Sequence, residues 1–273
     1  MKSAGGRLHE PRRGLEVARL AALTHRFILN ADDLGLRPGV NRSVRALLEA
    51  GALSSATILT DRDAHAFADA AAMARAMQVP GGPGFGLHLD LEDFFGFDAS
   101  GHFGATETDA VGNYRGRLAV RRRAAAHAMA RQLDTLLDAG VRITHVDGHH
   151  NCHLFPEVLE TLGPLMAERG VRALRFLPGF YCWRSTLQAA RDVLRDCGLA
   201  APGAFRDLGA QPRPAAFLRS PGPLVLEAMC HTEDPAGGEH WRAAQHEFLM
   251  SNAALIRTVE PVSFDILFQG DNA

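Results

Sequence analysis

The stretch HVDGHHNCH, residues 145–153, sets His145, His149, His150 and His153 beside Asp147 and Cys152 within nine positions. That density of imidazole is the chemistry of divalent-metal binding, of proton transfer, or of both. Read as the end of a strand over 142–149, the segment alternates with period two, so His145, Asp147 and His149 share one face and Val146 and Gly148 take the other. Pro156 suits the first position of a helix, which leaves His150, Asn151 and His153 on the connecting loop.

Similar endings recur elsewhere. NADD carries Asp32 and Asp33, whose adjacency sends them to opposite sides and suits them to different roles; GLHLDL carries His88 and Asp90 on one face; MCHTED carries His231. If these segments are parallel strands, their polar ends converge, because active sites of parallel α/β folds form at the C-terminal ends of the strands. Asp33, His88 and His149 then offer one carboxylate and two imidazoles with room for water, the donor set of a hydrolytic zinc site; a harder ion such as magnesium would keep more of its waters. Each piece has an ordinary reading too. Asp-Asp shortly before a glycine more often marks a turn, and a single strand-end histidine is more often a hydrogen-bonded core residue. The cluster of four histidines is harder to dismiss.

Other chemistries find less support. His149 and His153 have the HxxxH spacing of a zincin helix, but His150 stands where that helix carries glutamate, and Gly148 and Pro156 leave little room for a helix. No GxSxG elbow, GxGxxG turn or Walker loop is present. His65 and His127 lie on alanine-rich helical faces, and Cys152 has no partner cysteine nearby, so none of them marks a site.

The elements that must position these residues alternate regularly. Strands are expected at 27–33, 54–60, 84–91, 142–149, 173–178, 224–231 and 262–268, with helices at 40–51, 64–77, 121–140, 156–170 and 186–198. That order specifies β/α units around a parallel sheet. The aperiodic, Gly- and Phe-rich segment from Asp93 to Gly116 is expected to be a long loop. The chain of 273 residues, with 47% apolar and 22% charged residues and a net charge of -2, suits one large domain, and neither its charge nor its composition suits a nucleic-acid partner or disorder. Cys152, Cys182, Cys197 and Cys230 form no CxxC pair, which fits reduced thiols in a cytoplasmic protein. Residues 15–23 are interrupted by Glu16 and Arg19, unlike a signal peptide, and no stretch approaches the roughly 20 apolar residues of a membrane span.

In order and spacing, NADDLGLRPGVNRSV, GALSSATILT, GLHLDL, THVDGHHNCHLFP and MCHTED resemble the YdjC/ChbG-like carbohydrate deacetylases, over about Phe27 to Asp265. The resemblance implies a single-domain α/β fold, a distorted (β/α) barrel of the glycoside hydrolase and deacetylase type, over residues 25–273, preceded by an N-terminal extension (1–24) expected to be flexible. It implies a metal-dependent hydrolase that removes N-acetyl groups from amino sugars, with one divalent ion, zinc or magnesium, on Asp33, His88 and His149, and with Asp32 as the base.

His231 is the candidate acid for the leaving amine, across the site from Asp32. Asp147 and His145 are expected to support the ligands, and His150, Asn151 and His153 to shape the sugar pocket. Two departures from the family pattern bear on the substrate: Asn151 replaces a histidine, and Thr232–Glu233 replace Pro-Gly, adding negative charge near His231. Two alternative readings use the same barrel. One is a sugar-binding or regulatory protein without catalysis, which would tolerate Asp32→Asn; the other is a metal-dependent sugar isomerase, which would release no acetate. Size alone is compatible with a homodimer, and a membrane partner is not expected.

Overall fold

The computed structural model describes residues 25–95, 107–209 and 224–268. Six parallel strands, β1 (His25–Leu34), β2 (Ser55–Ile58), β3 (Gly84–Leu89), β4 (Ile143–Gly148), β5 (Ala204–Asp207) and β6 (Leu224–Cys230), form one sheet in the order β4-β3-β2-β1-β6-β5. Two isolated bridges, Val146–Leu174 and Ala173–Ala200, continue from β4 toward β5 and curl the sheet toward closure. The result is the expected distorted barrel. Helices α1 (Pro38–Glu49), α2 (Ala64–Met77), α3 (Glu107–Asp138), α4 (Pro156–Glu168), α5 (Arg184–Asp196) and α6 (His240–Ser251) make the main returns.

Local chemistry sets these boundaries. Helix α1 begins on Pro38 and α4 on Pro156, whose missing N–H costs nothing in a first turn. Asp63 caps α2, accepting hydrogen bonds from the amides of His65 and Ala66 at 2.9 Å each. Every residue of β2, β3 and β4 is buried, one face against apolar side chains and the other inside the barrel. That interior is polar: Asn30, Asp32, Thr57, His88, His145, Asp147, Arg175 and Glu227 all lie within it, at most 2% exposed.

Three expectations are corrected. Residues 173–178 are not a full strand; pairing is confined to the bridges around Ala173 and Leu174, and Pro178 then opens a short 3-10 turn. Residues 262–268 donate one bond, from Val262 N to Phe27 O, before turning into a 3-10 helix whose Phe264 stacks on His145 at 3.6 Å. The Asp93–Gly116 segment is not a continuous loop, since a short helix covers Glu92–Phe95 and α3 starts at Glu107; residues 96–106 lie outside the described part, as do residues 1–24. Strand β5 and helix α6 were not expected. The former is a half-exposed edge strand, AFRD, too short to show alternation.

Candidate metal centre

Strand register builds the centre. His88 and Asp147 are direct partners across β3 and β4, and His88 Nδ1 lies 2.7 Å from Asp147 Oδ1. This bond puts the proton on Nδ1 and leaves the Nε2 lone pair facing outward. Asp147 Oδ2 in turn accepts from Thr57 Oγ1 at 3.0 Å and Asn30 Nδ2 at 3.3 Å, and lies 2.8 Å from Arg175 Nη2.

Asp32 and Asp33 do not point to opposite sides. Between Ala31 and Leu34 strand β1 carries one residue more than β2, and Asp33 takes a left-handed backbone, φ 65°. This bulge breaks the period-two alternation and brings both carboxylates into the same site. His231 Nε2, at the end of β6, is 3.9 Å from Asp32 Oδ2 and 3.9 Å from Asp33 Oδ2, so it sits beside Asp32 rather than across from it.

Asp33 Oδ1, His88 Nε2 and His149 Nδ1 form a triangle with edges of 3.2, 3.1 and 3.3 Å. Oxygen and nitrogen ligands about 2.0–2.1 Å from a four- to six-coordinate ion lie roughly 3.0–3.4 Å apart, so the triangle has the right size. Asp33 Oδ1 is fully buried and has no properly directed hydrogen bond despite its two imidazole neighbours, a lone pair left for another partner. The donor set fits a divalent ion.

Charge points the same way. Burial works to raise the Asp32 carboxyl, but Arg175, with His88 and His231, holds it below the usual carboxylate range; for Asp33 burial is likewise outweighed, by His149, His88 and His231. Against burial, Asp147 and Asp33 push His88 well above an ordinary imidazole, and Asp33 and Glu92 push His149 up to about 9. The pocket favours added positive charge.

Arg175 lies at the centre of the buried network, 1% exposed. It donates to Asp32 through Nη1 and Nη2 at 2.7 and 2.6 Å and to Glu227 Oε1 through Nε at 2.7 Å. Burial raises the Glu227 carboxyl to about 7 even with Arg175 beside it. On the far side, Glu92 Oε1 lies 3.3 Å from His149 Nε2 and 3.0 Å from His150 Nε2, and is itself paired with Arg62. Glu92 therefore stands to His149 as Asp147 stands to His88, a carboxylate on the nitrogen opposite the triangle. From α6, Arg242 Nη2 donates to Asp33 Oδ2 at 2.7 Å.

The remaining expected residues divide. His145 is buried beneath the centre, with Nε2 3.2 Å from Asn30 Oδ1 and Nδ1 2.9 Å from Thr144 Oγ1, and burial and Arg175 keep it neutral. His150 and Asn151 are half-buried on consecutive left-handed positions, φ 53° and 55°, a conformation that asparagine tolerates better than most residues. His153 does not shape a pocket: it is fully buried, Nε2 bonds the Arg175 carbonyl at 3.0 Å, and burial takes its pKa down to about 3. Asp90, placed with His88 on one strand face by the sequence, pairs with Arg62 and accepts from the Glu92 amide at 3.0 Å.

Glu233 adds no free charge near His231, because Arg37 binds it in a fork, Nε to Oε1 at 2.6 Å and Nη2 to Oε2 at 2.5 Å, and Asp234 pairs with Arg42 at 2.9 Å. Arg175, Glu227, Glu92 and Arg242 were not expected. A charge inside an otherwise apolar strand, as in ALRFLP and LVLEAMCH, was the available signal for the first two.

The family model described as YdjC-like protein matches residues 26–256. Chitooligosaccharide deacetylases of Salmonella schwarzengrund and Salmonella typhimurium are each 29% identical over 216 residues, covering 75% of this chain and 80% of theirs. A crystal structure of a proposed cellobiose-phosphate cleavage protein from Enterococcus faecalis V583 superposes with a TM-score of 0.60 at 18% identity, covering 89% of this chain and 99% of that one, which shows a shared fold. Among the described residues no helix is long and apolar enough to cross a membrane.

Proposed function

We propose, from the premise that this chain belongs to the YdjC-like protein family, that it is a metal-dependent N-deacetylase acting on an acetylated amino sugar, the activity for which the Salmonella relatives are named. The observation that carries the reading is the triangle of buried Asp33 and His88 with half-buried His149, and the ionised Asp32 beside it. Asp33, His88 and His149 would hold a single divalent ion, which when bound would supply the Lewis acidity for activating water and polarising the acetamide carbonyl. Two imidazoles with one carboxylate favour a borderline ion such as zinc over magnesium.

Asp32 is the base in this reading. Its Oδ1 accepts from both Arg175 Nη2 and Asn30 Nδ2, at 2.6 and 2.9 Å, whereas among the described residues Oδ2 accepts only from Arg175 Nη1, at 2.7 Å. The spare lone pair is therefore on Oδ2, the oxygen that faces His231. Asp32 Oδ2 takes the proton of the attacking water, the new C–O bond forms at the acetamide carbon, and the C–N bond breaks as His231 gives a proton to the departing amine. Asp147 and Glu92 hold the two imidazoles in the tautomers that present lone pairs to the centre. We place this chemistry in the cytoplasm, in agreement with the dispersed cysteines, and on one domain spanning residues 25–273.

Incubation of metal-loaded protein with N-acetylglucosamine oligomers should release acetate, and Asp32→Asn should abolish release while metal stays bound. Retention of metal with no acetate from any acetylated amino sugar would overturn the reading, and would favour a binding protein on the same scaffold.

A further inference from the structure

The first turn of α6 brings an aromatic side chain to the centre. The Trp241 indole meets the His231 ring edge to face, with centroids 5.5 Å apart, and His231 Nε2 is 3.9 Å from each of the adjacent carboxylates. Trp241 is 37% exposed. A singly exposed apolar residue needs no explanation by itself, but the way this one is held does.

The ring is fixed at three places. Its Nε1–H donates to Glu239 Oε2 at 2.6 Å, the ring meets His231 in an inclined, T-shaped contact, and the Arg242 guanidinium carbon covers one face at 4.7 Å from a ring centroid. Arg242 is itself buried and bonded to Asp33 Oδ2 at 2.7 Å. The chain Trp241–Arg242–Asp33 thus ties the indole to a residue of the metal triangle, and leaves the second indole face as the one not taken by the guanidinium.

We propose that this face of Trp241 is the stacking platform for a pyranose ring of the substrate, which places the substrate's acetamido group toward His231 and Asp32. The C–H-bearing face of a pyranose is apolar and slightly positive, the complement of an aromatic π face, and a pre-fixed indole loses little entropy on binding. The inference rests on the amino-sugar reading above and adds the residue that recognises the ring.

The chain's two tryptophans make this testable. In the metal-loaded Trp183→Phe variant, Trp241 is the sole indole, and N,N′-diacetylchitobiose should shift or quench its emission saturably. Trp241→Ala should raise KM for the same sugar about tenfold, the scale of one lost ring contact, with kcat changed less than about threefold, and Trp241→Phe should recover most of the loss. A silent Trp241 emission at saturating sugar, in protein that releases acetate, overturns the platform, as does an unchanged KM in Trp241→Ala. A saturable shift without acetate release from any sugar supports the platform and overturns the deacetylase reading; neither shift nor release overturns both. If Trp241→Ala does not fold, the fluorescence titration decides alone.

Discussion

Replacing Arg175 with leucine tests whether the buried charge network holds the barrel together. The side chain is 1% exposed and bonds Asp32, Asp147 and Glu227, themselves at most 2% exposed. Removing one partner of a buried ion pair costs about 3–5 kcal/mol, because the remaining charge is stranded. Three carboxylates are stranded here, but Glu227, raised to about 7, can take up a proton and lower the cost.

A loss of about 4 kcal/mol at pH 7.5 is a large part of a typical stability of 5–15 kcal/mol. With a urea slope of about 3 kcal/mol/M, it moves the unfolding midpoint down by roughly 1.3 M. The sign of the pH effect follows from proton binding. Carboxylates without the guanidinium have folded-state pKa values above their unfolded ones, so folded Arg175→Leu binds more protons, and its deficit should shrink by roughly 1–2 kcal/mol at pH 5.5. Urea titrations at the two pH values measure both effects. A midpoint within about 0.3 M of the unmodified protein at pH 7.5, or a deficit that does not change with pH, would refute the reasoning. Arg175→Leu combined with Glu227→Leu should recover part of the loss, since one of the stranded charges is gone.

Two further expectations follow. Asp147→Asn removes the carboxylate that fixes the His88 tautomer and should weaken metal binding by roughly 10- to 100-fold in a competition titration with a chromophoric chelator; unchanged affinity would remove Asp147 from that role. Burial raises Glu227 from 4.5 to about 7, so the folded state favours its protonated form, and the associated stability is present below pH 4.5 and lost as pH rises through 7. Glu227→Gln should flatten that slope, worth about 3 kcal/mol across the window; parallel stability profiles for the two proteins between pH 5 and 7.5 would count against it.

The residues of the triangle were legible in the sequence because strand ends in a parallel fold share one address, and Asp33, His88 and His149 each occupy such an end. The direction of Asp33 was not, since a bulge is a property of the pairing of two strands and neither strand carries it alone. His153 looked like its neighbours by type and spacing, yet two consecutive left-handed residues turn the chain and put it in the core. Arg175 was hidden because its three carboxylate partners come from strands far apart in the chain. Helix α6 brings Trp241 and Arg242 from a segment whose link to the site is tertiary contact alone.

The bulge in β1 also makes the site sensitive to insertion and deletion. Along a strand, facing is a matter of parity, so a change of one residue reverses which side chains look inward. Strand β1 already carries one residue too many between Ala31 and Leu34, and that odd count gives its two aspartates a common direction. Deleting one of the residues that flank the pair, Ala31 or Leu34, would restore even spacing and turn one carboxylate away from the other, although both aspartates were kept. In this strand the number of residues matters to the centre as much as their identity.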